Sequence, residues 1–255
     1  MLRRSSATWL LSLLATALLP SVAQAAHHCF PEPLFCGETR QASLDATECF
    51  LDEESWADFY TFTGPAGREV TITLSSDSIV PSLFLFSPQP ELVVEEDSVG
   101  DTATIHHTLE SGGLWRIGAT TVGPRDTGQY TITLECSTPV PPAGNWLTTP
   151  EIPGFRFKVR ITAQNAIAGT KTADCIEDTL CVSGALPGRA EVFLRVIGPR
   201  PNGYLWPTVV KLTTSQVEVW IEQVATGQVR YYFLPGAGPT SSELPGFFDR
   251  NGFLP

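Results

Sequence analysis

Histidine is scarce in this chain: four in 255 residues, as two adjacent pairs, His27-His28 and His106-His107. No H-E-x-x-H occurs, so the usual zinc-protease arrangement is missing. No G-x-S-x-G elbow occurs either, since "VSGAL" and "ESGGL" lack the flanking glycines. There is no phosphate-cradling G-x-x-x-x-G-K-[ST] and no G-x-G-x-x-G. Positive charge is also short, with 16 Lys and Arg against 27 Asp and Glu and a net charge of −11. Such a chain has no electrostatic reason to approach nucleic acid or an anionic bilayer. Helical periodicity is absent throughout. Long apolar runs are absent too, except Trp9 to Leu19, which at 11 residues is too short to span a bilayer.

That one run has a meaning. Arg3 and Arg4 precede it and Ala23-Gln24-Ala25 follows it, which reads as a signal peptide over residues 1–25. Its loss removes two Arg and no acid, taking the net charge from −11 to −13. Cys29 is preceded by Ala-His-His, without the small and aliphatic residues a lipid-anchored cysteine needs. The expectation is a secreted or periplasmic protein, off the membrane after cleavage.

The six cysteines stand at 29, 36, 49, 136, 175 and 181, all beyond the cleavage site. An even number in an exported chain reads as three disulfides. The intervening spacings of 6, 12, 86, 38 and 5 residues do not form the tight thiolate pairs of a zinc site. With every thiol paired, no cysteine nucleophile remains.

Strand patterns fill the rest. In "EVTITLSS" Val70, Ile72 and Leu74 alternate with Thr71, Thr73 and Ser75, the period-two signature of a half-buried strand. "QYTITLEC" repeats it, and "DFYTFT", "PSLFLFS", "TIHHTLE" and "LWRIGATT" are further short runs. Gly64-Pro65-Ala66-Gly67, Ser111-Gly112-Gly113 and Gly123-Pro124 separate them. Beyond "STPVPPAGN" the same grammar resumes in "FRFKVRIT", "AEVFLRVIG", "PTVVKLTTS", "QVEVWIEQV" and "QVRYYFLP". The expected organisation is all-β: a first β-sandwich over 26–136, a Pro-rich spacer over 137–145 and a second all-β domain over 146–255. The tail "ELPGFFDRNGFLP" carries apolar Phe247, Phe248, Phe253 and Leu254 and is expected to lie against the second domain.

Residues 29–136 resemble the bacterial pre-peptidase C-terminal domain. The matching pieces are "CGETRQASLDATEC", "ADFYTFTGPAGREVTITLSS", "PSLFLFSP", "TLESGGLWRIGATT" and "TGQYTITLEC". The resemblance implies a jelly-roll-like accessory domain without catalytic residues of its own. It differs in standing at the N-terminal side of the mature chain, with nothing resembling a peptidase beside it. Some members bind calcium through clustered acids. Here Asp52, Glu53, Glu54 and Asp58 precede one strand, and Glu95, Glu96, Asp97 and Asp101 follow another, without the D-x-D-x-D-G spacing of a calcium loop. Calcium is therefore the one cofactor weighed against none. The second half looks like an uncharacterised module of secreted bacterial proteins, through "CIEDTLCVSGALPGRAEVFLRVIGPRPNGYLWP". On the topology so implied, Cys36 is paired with Cys49 and Cys29 with Cys136, one of three connectivities open to four cysteines. Cys175 is paired with Cys181.

Three candidate sites remain. Cleavage after Ala25 exposes Ala26-His27-His28, and a free amine with His28 in third position can wrap a square-planar Cu(II) or Ni(II). In "QVEVWIEQV" and "QVRYYFLP", joined by Ala225-Thr226-Gly227-Gln228 as a hairpin, a register pairing Val224 with Val229 sets Trp220 opposite Phe233 and Glu222 opposite Tyr231. One face then presents Trp220, Tyr231 and Phe233 edged by Glu218 and Glu222, a platform suited to stacking on a sugar ring. The other face holds Val217, Val219, Ile221, Tyr232 and Leu234, equally able to form the core. The loop "GPRPNGYLWP" offers Arg200, Tyr204 and Trp206 as interface anchors. The functional expectation is a secreted, non-catalytic binding or accessory protein recognising a protein or polysaccharide. A structural or assembly component of the cell surface is the alternative, and a hydrolase with an unfamiliar site the third.

Overall fold

The computed structural model describes residues 30–46, 49–50, 55–163, 165–172, 175–184, 186, 188–236, 246–249 and 252–254. The signal segment, His28, Cys29, Asp52, Glu53 and Glu54 lie outside them. The fold is all-β. Among the described residues no helix is long and apolar enough to cross a membrane.

The alternating runs become the expected strands. The first half holds β1 (Glu32–Pro33), β2 (Glu38–Leu44), β3 (Cys49–Phe50), β4 (Trp56–Gly64) and β5 (Glu69–Ser75). It continues with β6 (Pro81–Phe86), β7 (Leu92–Asp97), β8 (Thr102–Thr108), β9 (Gly113–Thr121) and β10 (Gly128–Cys136). One sheet runs β1-β4-β9-β6-β7 with β3 on β4; the other runs β2-β10-β5-β8. Because successive side chains point to opposite faces, Val70, Ile72 and Leu74 of β5 all turn inward. Ile72 sits across from Ile105 and Leu134, and the core closes on Leu83, Leu85 and Trp115 of the facing sheet. Each such buried Leu or Ile contributes about 1.5–3 kcal/mol.

The second half holds β11 (Phe155–Thr162), β12 (Ala166–Ala168), β13 (Thr170–Lys171), β14 (Leu180–Ser183) and β15 (Val192–Ile197). After them come β16 (Trp206–Lys211), β17 (Gln216–Gln223), β18 (Gln228–Leu234) and β19 (Gly246–Phe248). Their sheets are β12-β11-β17-β18 and β13-β14-β15-β16-β19, around a separate core that includes Phe157, Val159, Leu194, Val209 and Phe253. The tail does lie down on this sandwich: β19 pairs with β16, and Phe253 bridges to Leu205.

The disulfides correct the expected pairing. Cys36 bonds Cys136, with Cα atoms 5.4 Å apart, so neither Cys29–Cys136 nor Cys36–Cys49 forms. The reason is register. Antiparallel β2 and β10 pair Glu38 with Leu134 and Thr39 with Thr133, and extending that ladder by two residues puts 36 across from 136. The N–H of Gly37 donating to the carbonyl of Leu134 keeps the ladder going to that point. Cys49 is also disulfide-bonded. Cys175 bonds Cys181.

The Pro-rich stretch is fastened rather than spanning open space. Arg68 Nε donates to the Ser137 carbonyl at 2.9 Å, and the N–H of Glu69 to Ser137 Oγ at 3.1 Å. On the other side Trp220 Nε1 donates to the Pro139 carbonyl at 2.7 Å, and Lys158 Nζ to that of Pro142. Leu147 and Phe157 then exchange backbone bonds.

Candidate functional site

The β17–β18 hairpin carries the aromatic residues singled out above. Its register differs by two residues from the expected one: Trp220 faces Tyr231, Glu218 faces Phe233 and Glu222 faces Val229. The turn is the cause. Gly227 adopts φ +70° and its N–H returns to the Gln223 carbonyl, closing a four-residue connection. Val224 leaves the hairpin and donates to Gly154 instead. A shift of two keeps every side chain on its expected face.

Both faces are buried. Val217, Val219, Ile221, Tyr232 and Leu234 belong to the sandwich core. On the other face Trp220, Tyr231 and Phe233 are 0%, 6% and 2% exposed. No ring face is open to a sugar, which removes the platform. The two glutamates are consumed locally. Glu218 takes both an ion pair from Arg160 and the Tyr231 hydroxyl at 2.8 Å, while Glu222 pairs with Arg156 at 2.7 Å. These acids meet their bases because β11 lies antiparallel to β17, with Arg160 opposite Glu218 and Arg156 opposite Glu222. Burial, reinforced by the adjacent Glu218 carboxylate, pushes the Tyr231 phenol well above its ordinary value.

The first sandwich covers the Tyr231 and Phe233 part of this face, and the Pro-rich stretch with Trp146 covers Trp220. Thr63 Oγ1 donates to the Phe233 carbonyl at 2.6 Å. Gly112 approaches Phe233 so closely that a Cβ there would stand 3.2 Å from the ring. The Arg68 guanidinium lies 4.7 Å from the centre of the Tyr231 ring. The two sandwiches meet along β4 and β18, and beside the contact a cleft of about 620 Å³ stays open.

The cleft has an apolar wall from the first sandwich, including Leu34, Phe62 and Leu114, and a wall made by β18 from Gln228 to Leu234. The Cys36–Cys136 bridge lies in its lining. Arg68 also lines it, at 4% exposure. A guanidinium so deep is normally paired. Among the described residues no carboxylate lies within ion-pair distance of it, and its one side-chain hydrogen bond is the Nε donation to Ser137. Burial pulls its pKa down to about 10, which still leaves it cationic at neutral pH. The turn Gly64-Pro65-Ala66-Gly67 sets its position: Gly67, at φ +79°, donates to the Leu109 carbonyl, and Leu109 donates back to that of Arg68.

The edge of β18 adds a second feature. Val224 bonds to Gly154 on the β11 side of β17, and in an antiparallel ladder residues alternate in the direction of their N–H and C=O. Val217, Val219, Ile221 and Gln223 therefore turn these groups toward β18, where Leu234, Tyr232, Arg230 and Gln228 answer them. Those of Val229, Tyr231 and Phe233 point away from β17. β18 ends its sheet, so among the described residues the edge is unpaired apart from the Phe233 carbonyl held by Thr63.

The remaining candidates fall elsewhere. Arg200 is exposed and stacks 5.5 Å over Trp206, whose Nε1 donates to Asn202; Tyr204 and Trp206 are half-buried, and none of the three lines the cleft. His106 is exposed against Thr71, and His107 pairs with Glu110 and leans on Trp115. Asp58 accepts the Tyr130 hydroxyl. Among the described residues no three His, Cys, Asp or Glu gather to hold a metal ion. Arg68 escaped the reading of the sequence, yet a signal was there: it stands in phase with Val70, Ile72 and Leu74, a charge on the core side of its strand.

No protein-family model matches the chain, and no curated protein matches it. Solved structures similar to it include the pre-peptidase C-terminal domain of a Bacillus anthracis collagenase. That likeness has 13% identity and a TM-score of 0.34, over 42% of this chain and 95% of that one. They also include a periplasmic inhibitor of g-type lysozyme from Aeromonas hydrophila, at 15% identity and a TM-score of 0.33, over 42% and 96%. A Salmonella Typhimurium inhibitor of the same type matches at 14% identity and a TM-score of 0.29, over 42% and 98%.

Proposed function

We propose that this is an exported, non-catalytic binding protein that takes a segment of an extracellular or periplasmic protein into the cleft between its two sandwiches. The observation that carries the reading is Arg68, a buried cation facing a cleft of about 620 Å³; among the described residues no carboxylate is within ion-pair distance of it, and the one acid in the lining, Glu135, does not pair with it. An uncompensated buried charge costs stability unless something completes it, so its place in a pocket of ligand size supports recognition. Three features support export and a rigid framework: the N-terminal pattern of a signal peptide, the paired cysteines, and the acidic surface. Residues 26–136 and 146–255 are the two folding units of this reading, with 137–145 fastened between them. No histidine lines the cleft, and its two cysteines are joined to each other, so neither a His-based pair nor a free thiol stands in the lining. The protein is favoured over the polysaccharide because the aromatic faces suited to a sugar are covered.

The test is a photoreactive side chain placed at Leu114, which is 54% exposed on the cleft wall, with Val99, 92% exposed and outside the cleft, as control. Irradiation in the producing cell's periplasmic or culture fluid should give discrete adducts from position 114 alone. Equal labelling from both positions, or none from either, defeats the reading.

A further inference from the structure

We infer that the cleft receives the C-terminal carboxylate of an extended peptide, which adds to the free edge of β18 and ends on Arg68; this rests on the binding function proposed above. Three observations converge. First, the N–H and C=O groups of Val229 and Tyr231, with the N–H of Phe233, form a strand edge on the cleft lining that no described residue pairs. Such an edge is completed by an extended chain. Second, Thr63 occupies the Phe233 carbonyl at 2.6 Å and shuts that end of the edge, so an added strand has to stop there. A chain terminus fits a closed end better than a segment passing through. Third, the group waiting beside that end is a cation, stacked 4.7 Å over Tyr231 and 4% exposed; among the described residues no carboxylate pairs with it, although Glu135 also lines the cleft. A guanidinium offers a carboxylate two parallel N–H donors, and Arg68 spends only its Nε, on Ser137. The stacking on Tyr231 fixes the plane of the fork before any ligand arrives, which lowers the entropy lost on binding. The apolar wall of Leu34, Phe62 and Leu114 then suits the side chains of the added strand.

The experiment uses the mature protein with two pools of acetylated hexapeptides randomised over uncharged residues, one ending in a free carboxylate and the other in a carboxamide. Retained peptides are sequenced by mass spectrometry. The free-acid pool should be enriched at least about 10-fold over the amide pool, and the best free acid should bind Arg68→Met about 10- to 100-fold more weakly. Arg68→Lys, which keeps the charge but loses the fork, should fall between. A measurement on the unaltered protein guards against misfolded variants: hydrogen exchange at the Val229 and Tyr231 amides should slow at least about 10-fold on saturation. Inorganic phosphate or acetate alone at the same concentration should leave these amides unchanged. Equal retention of the two pools, undiminished binding by Arg68→Met, or full protection by phosphate alone each overturns the inference. Absence of peptide retention while the Leu114 adducts persist rejects this inference and leaves the binding function standing; absence of both rejects both.

Discussion

Replacing Trp220 by alanine tests the central structural correction, that the aromatic face of the hairpin is an interior. Three contacts set the size of the effect. The indole is fully buried, packs 5.0 Å from Tyr231, and donates Nε1–H to the Pro139 carbonyl at 2.7 Å. Arg160 lies 5.3 Å over the ring. Truncation of a buried Trp costs about 3–5 kcal/mol, and the orphaned Pro139 carbonyl adds to it, so a loss of about 4 kcal/mol or more is expected for Trp220→Ala. Trp220→Phe keeps most of the apolar contact and loses mainly the hydrogen bond, for about 1–2 kcal/mol. An exposed sugar platform would instead tolerate alanine within about 0.5 kcal/mol. Urea unfolding followed by far-ultraviolet circular dichroism separates these outcomes, and the melting temperature should fall by roughly 10 °C for the alanine variant. Because Trp220 holds the Pro-rich stretch, limited proteolysis should also cut the alanine variant sooner within residues 137–145. A loss below about 1 kcal/mol for Trp220→Ala would refute the buried interface.

Three further outcomes follow from the same geometry. Joint replacement of Cys36 and Cys136 by alanine opens a closure of 100 residues and should cost up to nearly 5 kcal/mol on the chain-entropy view; a melting temperature unchanged under oxidising conditions would contradict it. Lys211 is fully buried, donating to the carbonyls of Ser215 and Pro235, and burial holds its pKa down to about 8 from 10.5. The fold therefore penalises its charged form: the penalty is complete below pH 8 and fades as pH climbs through 10.5. Relative to Lys211→Met, the wild-type protein should gain up to about 3 kcal/mol across that window, and a flat difference would rule this out. Glu218→Ala strands Arg160 and the Tyr231 hydroxyl and should cost about 3 kcal/mol, whereas Glu218→Gln should cost less by keeping the hydroxyl bond; equal losses would mean that the Tyr231 hydroxyl bond contributes nothing.

The strands with strict alternation were legible because a half-buried strand writes its two faces into the chain. Strands without it were not. β2, "ETRQASL", buries Glu38 and Leu44 and little between, with Glu38 tied down by Arg40 and the N–H of Phe35. Missing β2 carried a cost, since the Cys36–Cys136 bridge follows only once β2 is laid against β10. Short β12, β13 and β14 lacked the length to show a period. In the hairpin the faces were legible but the register was not, because Gly227 favours a turn that excludes Val224. The acids on β17 suggested a wet face; their true reading lay in β11, where Arg156 and Arg160 stand at matching intervals. The cleft itself was hidden, as it arises where two separately built sandwiches meet, and no local pattern encodes that meeting.

The Cys36–Cys136 bridge has a mechanical consequence for the cleft it lines. It welds the end of β2 to the end of β10, so the wall on that side cannot give by unzipping its sheet. Any widening to admit a guest must come from the opposite side, where the hairpin is held by the noncovalent contacts of Thr63, Arg68 and Pro139. The mouth has a fixed jaw and a yielding one, and the charge that grips the guest is among the contacts that must let the jaw move.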